Sequence, residues 1–492
     1  MKIEEMISNS RADCSGCEAC ANVCPKNAIV MTRDVEGFVY PKINLELCIE
    51  CGRCDATCPS LNFKTKTIDD FPKTFVAIYP NEKILRHSSS GGIFTALSEI
   101  ILRDGGIVFG AGFDKNWRIV HTSAENLDEL ENLRGSKYTQ SKIGDVYRQV
   151  RDALKSSKVL FSGTPCQCVG LKHFLGKDYD NLLTVEIICH GTPSPALWES
   201  YIDELNDAHE VKHVNFRSKR KGWAISHMEI NFSDTGYYIR PVSEDIYGKL
   251  FLKGISERPS CHACKFKFPN GKSDLTLGDA WGIESFAPEM FNNRGVSAVF
   301  IHTAKGNEFF ERTKLIKRQV AFPNAIMKNR AFVMAFSADP RREIFFNELA
   351  NGADKVAVMQ KYFYQDDSSI RRKINEYNNR ALSKIYQELA AQIRQKFKEN
   401  ILFVGVSPQN LEKDFQNCGV YILQFVEGKI ICLETFSLLA LALREEPAAL
   451  SDFVNKINVT EIYVGEPLKV ESPVVSEWLK TCELPVQTLD AK

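Results

Sequence analysis

The chain has 492 residues, 44% hydrophobic and 25% charged, with 62 basic and 62 acidic side chains, a balance that gives no electrostatic handle for nucleic acid or an anionic membrane. Its longest apolar runs, residues 401–406 and 438–443, fall far short of the roughly eighteen residues that would insert directly into a bilayer, and its length fits about three domains. Sixteen cysteines behind a short polar start (residues 1–13) predict a cytoplasmic, reducing setting in which thiols serve metals or chemistry.

Cys14, Cys17, Cys20 and Cys24 follow the spacing C-x2-C-x2-C-x3-C-P, and Cys48, Cys51, Cys54 and Cys58 repeat it. This is the signature of bacterial ferredoxins with two [4Fe-4S] clusters, in which each run holds three corners of one cluster and lends its fourth thiolate to the other. The expected ligand sets are Cys14, Cys17, Cys20 and Cys58, and Cys48, Cys51, Cys54 and Cys24, with each fourth cysteine starting a short helix. Zinc knuckles use two C-x2-C pairs across a longer spacer, and disulfides need an oxidising compartment. A small hairpin is expected at residues 28–32 and 37–43, and a polar link over 62–73 bounds a ferredoxin domain at 1–62.

From residue 74 the pattern turns to alternating strands (75–79, 106–113, 158–162, 182–188, 274–278, 298–302) and helices (93–102, 142–154, 307–314), with further strands at 214–217, 227–232 and 237–241. Ser88-Ser89-Ser90-Gly91-Gly92 opens the first of these helices. Its free N–H groups and the helix dipole suit a nucleotide phosphate, although an ordinary N-cap has the same composition. Arg134-Gly135-Ser136-Lys137-Tyr138 combines a cation with a phenol. Gly163-Thr164-Pro165-Cys166 and Cys189-His190 end successive strands, where ligands of open α/β sheets collect. With Cys261 and Cys264 these cysteines make a four-thiolate set; Cys168, two positions along a helix from Cys166, faces elsewhere. Three readings of the set stay open on spacing: a third cluster, a structural zinc, or a thiol nucleophile paired with His190. The basic segment with Arg217, Lys219 and Trp223 suits a diphosphate and a planar ring, or an exposed loop.

Residues 341–399 read as a helical connector with an apolar stripe from Ile370 to Ile393. Residues 400–492 read as a small α/β domain of unknown role, with strands at 401–406, 420–426, 429–435 and 461–465 and helices at 437–444 and 448–456. Cys418, Cys432 and Cys482 lie in apolar surroundings and read as core thiols.

The serine–glycine turn, Gly163-Thr-Pro-Cys166-Gln, Cys189-His-Gly-Thr-Pro, Cys261-x2-Cys264 and Gly278-Asp-Ala-Trp-Gly282 occur together and in this order. The set resembles the family of beta subunits of coenzyme F420 (deazaflavin) hydrogenases and dehydrogenases, over roughly residues 75–340. The resemblance implies an FAD-bearing mixed α/β domain over 74–340 with its own [4Fe-4S] cluster on Cys166, Cys189, Cys261 and Cys264. It makes Ser89, Ser90, Gly91, Gly92, Gly135, Ser136, Lys137, Tyr138, Gly163, Thr164, Arg217, Lys219 and Trp223 candidates for flavin contact. The implied protein is an oxidoreductase that takes electrons from a ferredoxin or another redox protein to FAD and a small organic substrate, alone or as an oligomer. The rival readings are an electron-transfer subunit without its own substrate and a thiol-dependent transferase with a regulatory ferredoxin module.

Overall fold

The computed structural model describes residues 2–66, 71–233 and 236–365, and the backbone of five further strands, 401–406, 419–426, 429–434, 462–465 and 486–489. The chain starts with a helix, Ile3–Asn9, that the sequence reading passed over as polar, because only Ile3 and Met6 on its inner face are buried. Each cysteine run then makes a short helix, Ala19–Val23 and Arg53–Thr57. Both helices begin on a left-handed residue, Glu18 (φ 60°) and Gly52 (φ 67°), and another stands two positions earlier, Gly16 (φ 66°) and Glu50 (φ 51°). The backbone therefore repeats with the spacing, and each loop curls its first three thiols inward. Cys24 and Cys58 end these helices as C-caps rather than starting helices, because the left-handed turn begins each helix ahead of the third cysteine. Strands β1 (Ile29–Arg33) and β2 (Val39–Ile43) form the expected antiparallel hairpin.

Beyond the link lies an eight-stranded mixed sheet. Its strands are β3 (Lys73–Ile78), β4 (Ile107–Phe113), β5 (Ile119–Ala124), β6 (Val159–Gly163) and β7 (Leu182–Ile187), and after a separate antiparallel sheet of β8 (Val211–Ser218), β9 (His227–Phe232) and β10 (Tyr237–Pro241), β11 (Leu275–Asp279), β12 (Ser297–Ile301) and β13 (Ile316–Gln319). The spatial order is β13-β3-β12-β11-β7-β6-β4-β5. β4, β6, β7 and β11 run parallel, so their carboxyl ends emerge on one edge. Val159, Leu160 and Phe161 of β6 are fully buried, as parallel strands covered on both faces require. β5 closes one edge of the sheet, and its sequence pattern is weak because His121, Thr122 and Ser123 interrupt the apolar run. The long helix Pro195–Ala208 was also passed over; Leu197, Trp198, Tyr201 and Ile202 form its buried stripe. The helix expected from 142 starts at Val146, since Gly144 is left-handed and Lys142 bridges to Val120 of β5.

The N-terminal module is built into the core of the central domain. Met6, Cys14, Phe38 and Tyr40 share one apolar cluster with Trp198, Phe216, Tyr247 and Phe345. Cys17, Ala19 and Val23 share another with Tyr147, Phe161 and Leu171. In the distal region, strand 419–426 pairs antiparallel with both 401–406 and 429–434, and 462–465 pairs parallel with 486–489. The expected helices at 437–444 and 448–456, the apolar stripe of 370–393, Cys418 and Cys482, and the side chain of Cys432 lie outside the described residues. No helix among the described residues is long and apolar enough to cross a membrane.

The guanidinium of Arg148 donates to the carbonyls of Asn22 at 2.7 Å, Ala21 at 3.0 Å and Cys24 at 3.1 Å, capping the first cluster helix from the central domain. Hydrogen bonds from a charged group contribute about 2 kcal/mol each. With three such bonds on one partly exposed side chain, Arg148→Ala should lower the denaturation free energy by at least about 2 kcal/mol. It should also speed protease cleavage in the link after residue 62, read by anaerobic urea titration and limited proteolysis.

Candidate functional site

Cys14, Cys17, Cys20 and Cys58 lie near one another, and Cys54 lies near Cys48. Burial pushes the Cys20 thiol up, and Cys17, Cys14 and Cys58 are the neighbouring thiols that add to the shift. In the other group Cys54 senses Cys48. Backbone N–H groups aim at the sulfurs, Ala28 to Cys24 at 3.3 Å and Glu50 to Cys48 at 3.4 Å, as iron–sulfur loops do. Cys14, Cys17 and Cys20 are buried, whereas the second loop opens to water at Cys51.

The inner group abuts a third set. Cys17 is a neighbour of Cys166, and a Cβ on Gly170 would sit 3.1 Å from both Cβ and Sγ of Cys17. Cys166 is on the first turn of the helix Pro165–Leu175, which follows β6, and Cys189 follows β7. Cys261 lies on the helical turn Pro259–His262 and Cys264 just beyond it. All four line one small cavity of about 40 Å³. Thr192 donates its N–H to Cys261 Sγ at 3.3 Å, and Thr164 Oγ1 lies 3.1 Å from Cys166 Sγ. Among the described residues no three Cys, His, Asp or Glu side chains converge closely enough to hold one ion. A single zinc needs its sulfurs about 2.3 Å from the metal, whereas the corners of a cluster are spread by its iron–sulfide core.

Cys168 points into the core between β7 and its own helix, fully buried, with Sγ 4.0 Å from the Val185 carbonyl. A nucleophilic thiol needs a depressed pKa. Burial instead pushes Cys166 up to about 12 and Cys189 up as well. His190 stacks on Phe336 with centroids 4.5 Å apart and turns Nε2 toward Glu257 at 3.8 Å.

A cleft of about 1140 Å³ opens beside the four-thiol cavity at the carboxyl edge of the parallel strands. The two share Thr164, Gln167, Cys189, His190, Gly191 and Thr192. Ser89, Ser90, Gly92, Gly135, Ser136, Lys137, Tyr138, Gly163, Thr164, Arg217 and Trp223 all line the cleft. Segments distant in sequence are joined there: the Ser136 N–H donates to Ser89 Oγ at 2.8 Å, and Ser90 Oγ to the Val296 carbonyl at 2.8 Å.

Two expected contacts have other roles. A Cβ on Gly91 would lie 2.3 Å from the Ala77 carbonyl, so this glycine lets the turn press against β3 and does not face the cleft. Lys219 donates Nζ to the carbonyls of Leu85 and Ser90, bracing the serine turn from behind.

Asp279 and Trp281, inside the Gly278–Gly282 motif, carry no role that their sequence context predicts. Arg217 pairs with both carboxylate oxygens of Asp279 at 2.8 and 3.2 Å, and Trp223 Nε1 donates to Asp279 at 2.8 Å. The rings of Trp223 and Trp281 stack 4.9 Å apart and 6° from parallel, and the Arg217 guanidinium lies 5.3 Å from the Trp281 ring centre. Arg134, Lys137, Arg217, Lys249, Lys253, Lys328, Arg330 and Arg341 line the cleft against only Asp279, Glu284 and Asp339. Burial and the neighbouring Arg134 push Lys137 down to about 7. Such a surplus of cations in a concave wall favours an anionic ligand.

The two cysteines two positions apart separate ligand from core. Cys166→Ala should lose about four iron atoms per chain while the fold persists. Cys168→Ala should keep its iron and lose about 1 kcal/mol of stability. Iron and sulfide assays beside thermal melts under anaerobic conditions read both.

Comparison with known proteins assigns families to both regions. Residues 13–62 match the 4Fe-4S dicluster domain, 74–148 the N-terminal part of the coenzyme F420 hydrogenase/dehydrogenase beta subunit, and 156–320 the C-terminal part of the same protein. One component of the F420H2 dehydrogenase of Methanosarcina mazei is 24% identical over 334 residues, covering 64% of this chain and 85% of the relative. The uncharacterised protein MJ1349 of Methanocaldococcus jannaschii is 25% identical over 356 residues, covering 63% and 88%. A chain of the F420-reducing [NiFe] hydrogenase complex from Methanosarcina barkeri aligns at a TM-score of 0.37 and 21% identity, covering 60% of this chain and 94% of that one. The chain therefore belongs to the family of coenzyme F420 hydrogenase/dehydrogenase beta subunits and carries an N-terminal 4Fe-4S dicluster domain.

Proposed function

We propose that this chain is an iron–sulfur flavoprotein that exchanges electrons between a ferredoxin-type carrier and a small organic acceptor of the deazaflavin class. The observation that carries the reading is the shared wall between the four-thiol cavity and the cationic cleft. Clusters on the three thiol sets supply one-electron transfer, and FAD in the cleft supplies hydride chemistry.

The residues divide that work. Cys14, Cys17, Cys20 and Cys58 hold the inner N-terminal cluster, Cys24, Cys48, Cys51 and Cys54 the outer one, and Cys166, Cys189, Cys261 and Cys264 the third. Exposed Cys51 makes the outer set the accessible end for a protein partner. Ser89, Ser90 and the Gly135–Tyr138 turn present short polar groups to an anion, as phosphate-binding turns do. Arg217, held flat by Asp279 and Trp281, offers a fixed cation to a diphosphate, and the Trp223–Trp281 stack forms a planar wall. His190, half-buried against Phe336 and kept neutral, stands at the boundary between cavity and cleft.

Anaerobic reconstitution with iron, sulfide and FAD should give a chain whose flavin band bleaches on addition of reduced coenzyme F420. A chain that takes up iron but no flavin would remove the proposal. A chain that binds flavin yet never exchanges electrons with the deazaflavin would confine it to electron transfer inside a larger complex. Trp281→Ala should weaken FAD about tenfold, or about 1.4 kcal/mol, in a fluorescence titration that leaves the iron content unchanged.

A further inference from the structure

Arg258 is fully buried and lines neither the small cavity nor the cleft. Its Nε donates to the Cys14 carbonyl at 2.8 Å, Nη2 to the Val39 carbonyl at 3.0 Å and Nη1 to Gln140 Oε1 at 3.1 Å. The Tyr40 ring centre lies 4.1 Å from its guanidinium carbon. All three bonded acceptors are neutral, so no bonded carboxylate cancels the charge. Glu18 and Asp34 feel it from nearby, but their oxygens are engaged elsewhere: Glu18 by the N–H groups of Ile143 and Gly144, Asp34 Oδ1 by those of Glu36 and Phe38 and Oδ2 by Arg11 at 3.1 Å.

The charge sits between two thiol sets. A Cβ on Gly16, inside the Cys14–Cys17 loop, would come within 2.8 Å of Arg258 Nη1. On the other side the Arg258 carbonyl accepts the N–H of Cys261 at 2.9 Å.

We propose that Arg258 is a positioning residue that locks the Cys14–Cys20 loop onto the four-thiol cavity and raises the reduction potential of the two centres held there. The inference rests on the cluster reading above. One-electron reduction adds a negative charge to a cluster, and net charge around the sulfurs sets its potential. A fixed cation in a low-dielectric interior stabilises the reduced form, and the effect decays with distance. The loop of Cys48, Cys51 and Cys54, open to solvent at Cys51, makes none of these contacts and is screened by water. Arg258 therefore acts on the two inner centres and spares the outer one.

The test is an EPR-monitored redox titration of the full, anaerobically reconstituted chain as wild type, Arg258→Gln, Arg258→Lys and Gln140→Glu. The last places a carboxylate against Nη1 and neutralises the cation while keeping Arg258, at the loss of the two bonds that Gln140 Nε2 gives the Ser15 and Gly16 carbonyls. Arg258→Gln and Gln140→Glu should both shift the midpoints of the inner N-terminal and third centres to lower potential and leave the outer centre in place. Arg258→Lys should recover most of the wild-type values. Wild-type midpoints in both neutralising variants, at wild-type iron content, would overturn the inference, as would an equal shift of all three centres. If Arg258→Gln fails to hold iron, Gln140→Glu decides alone. A wild-type chain with no reducible clusters would instead sink the cluster reading, and its own iron and sulfide content reports that separately.

Discussion

A buried carboxylate holds the cysteine-rich module in place. Glu18, in the spacer between Cys17 and Cys20, accepts the N–H groups of Ile143 at 2.8 Å and Gly144 at 3.0 Å, and Asn22 donates to the Gly144 carbonyl at 2.8 Å. Burial pushes the Glu18 carboxyl up, and the two N–H donors work against that rise. A buried acid without partners would be costly; with two backbone donors it becomes a directional clasp. Its left-handed backbone also starts the helix that carries Cys20. One residue therefore shapes the thiol loop and fastens it to the central domain.

That attachment gives the rest of the molecule its sense. A ferredoxin module on a loose tether would meet its acceptor by diffusion. Here Cys17 rests on Gly170 of the helix whose first turn holds Cys166, and the four-thiol cavity shares a wall with the cleft. The parallel strands β6, β7 and β11 supply that wall because their carboxyl ends lie together, which is where open α/β sheets accept ligands. Shape and charge agree in the cleft, with a tryptophan stack on one side and a surplus of cations around it.

What could be read from the sequence follows the range of each interaction. The eight N-terminal cysteines are legible because cluster loops are local, with every spacing set by a few residues of backbone. The third set is scattered over about a hundred residues, and spacing alone left cluster, zinc and nucleophile open; its thiols meet only when β6 and β7 lie side by side. The glycine at 91 and the lysine at 219 carry the composition of phosphate-binding groups, yet tertiary packing turns one against β3 and the other onto carbonyls behind the turn. Glu18, Arg258 and Asp279 have partners more than fifty residues away, so no local pattern marks them. Edge strand β5 gives a weak pattern because His121, Thr122 and Ser123 interrupt its apolar run.

The eight-stranded sheet stops at β13, a strand of four residues whose side chains are Ile316, Lys317, Arg318 and Gln319. Unpaired strand edges invite another chain to add itself, and shortness together with lysine and arginine discourages this. Lys317 is held by Glu311 and Arg318 by Glu289, so the rim is laced with ion pairs. The consequence is a built-in guard against self-association into sheet-like aggregates, at the end of the sheet opposite β5.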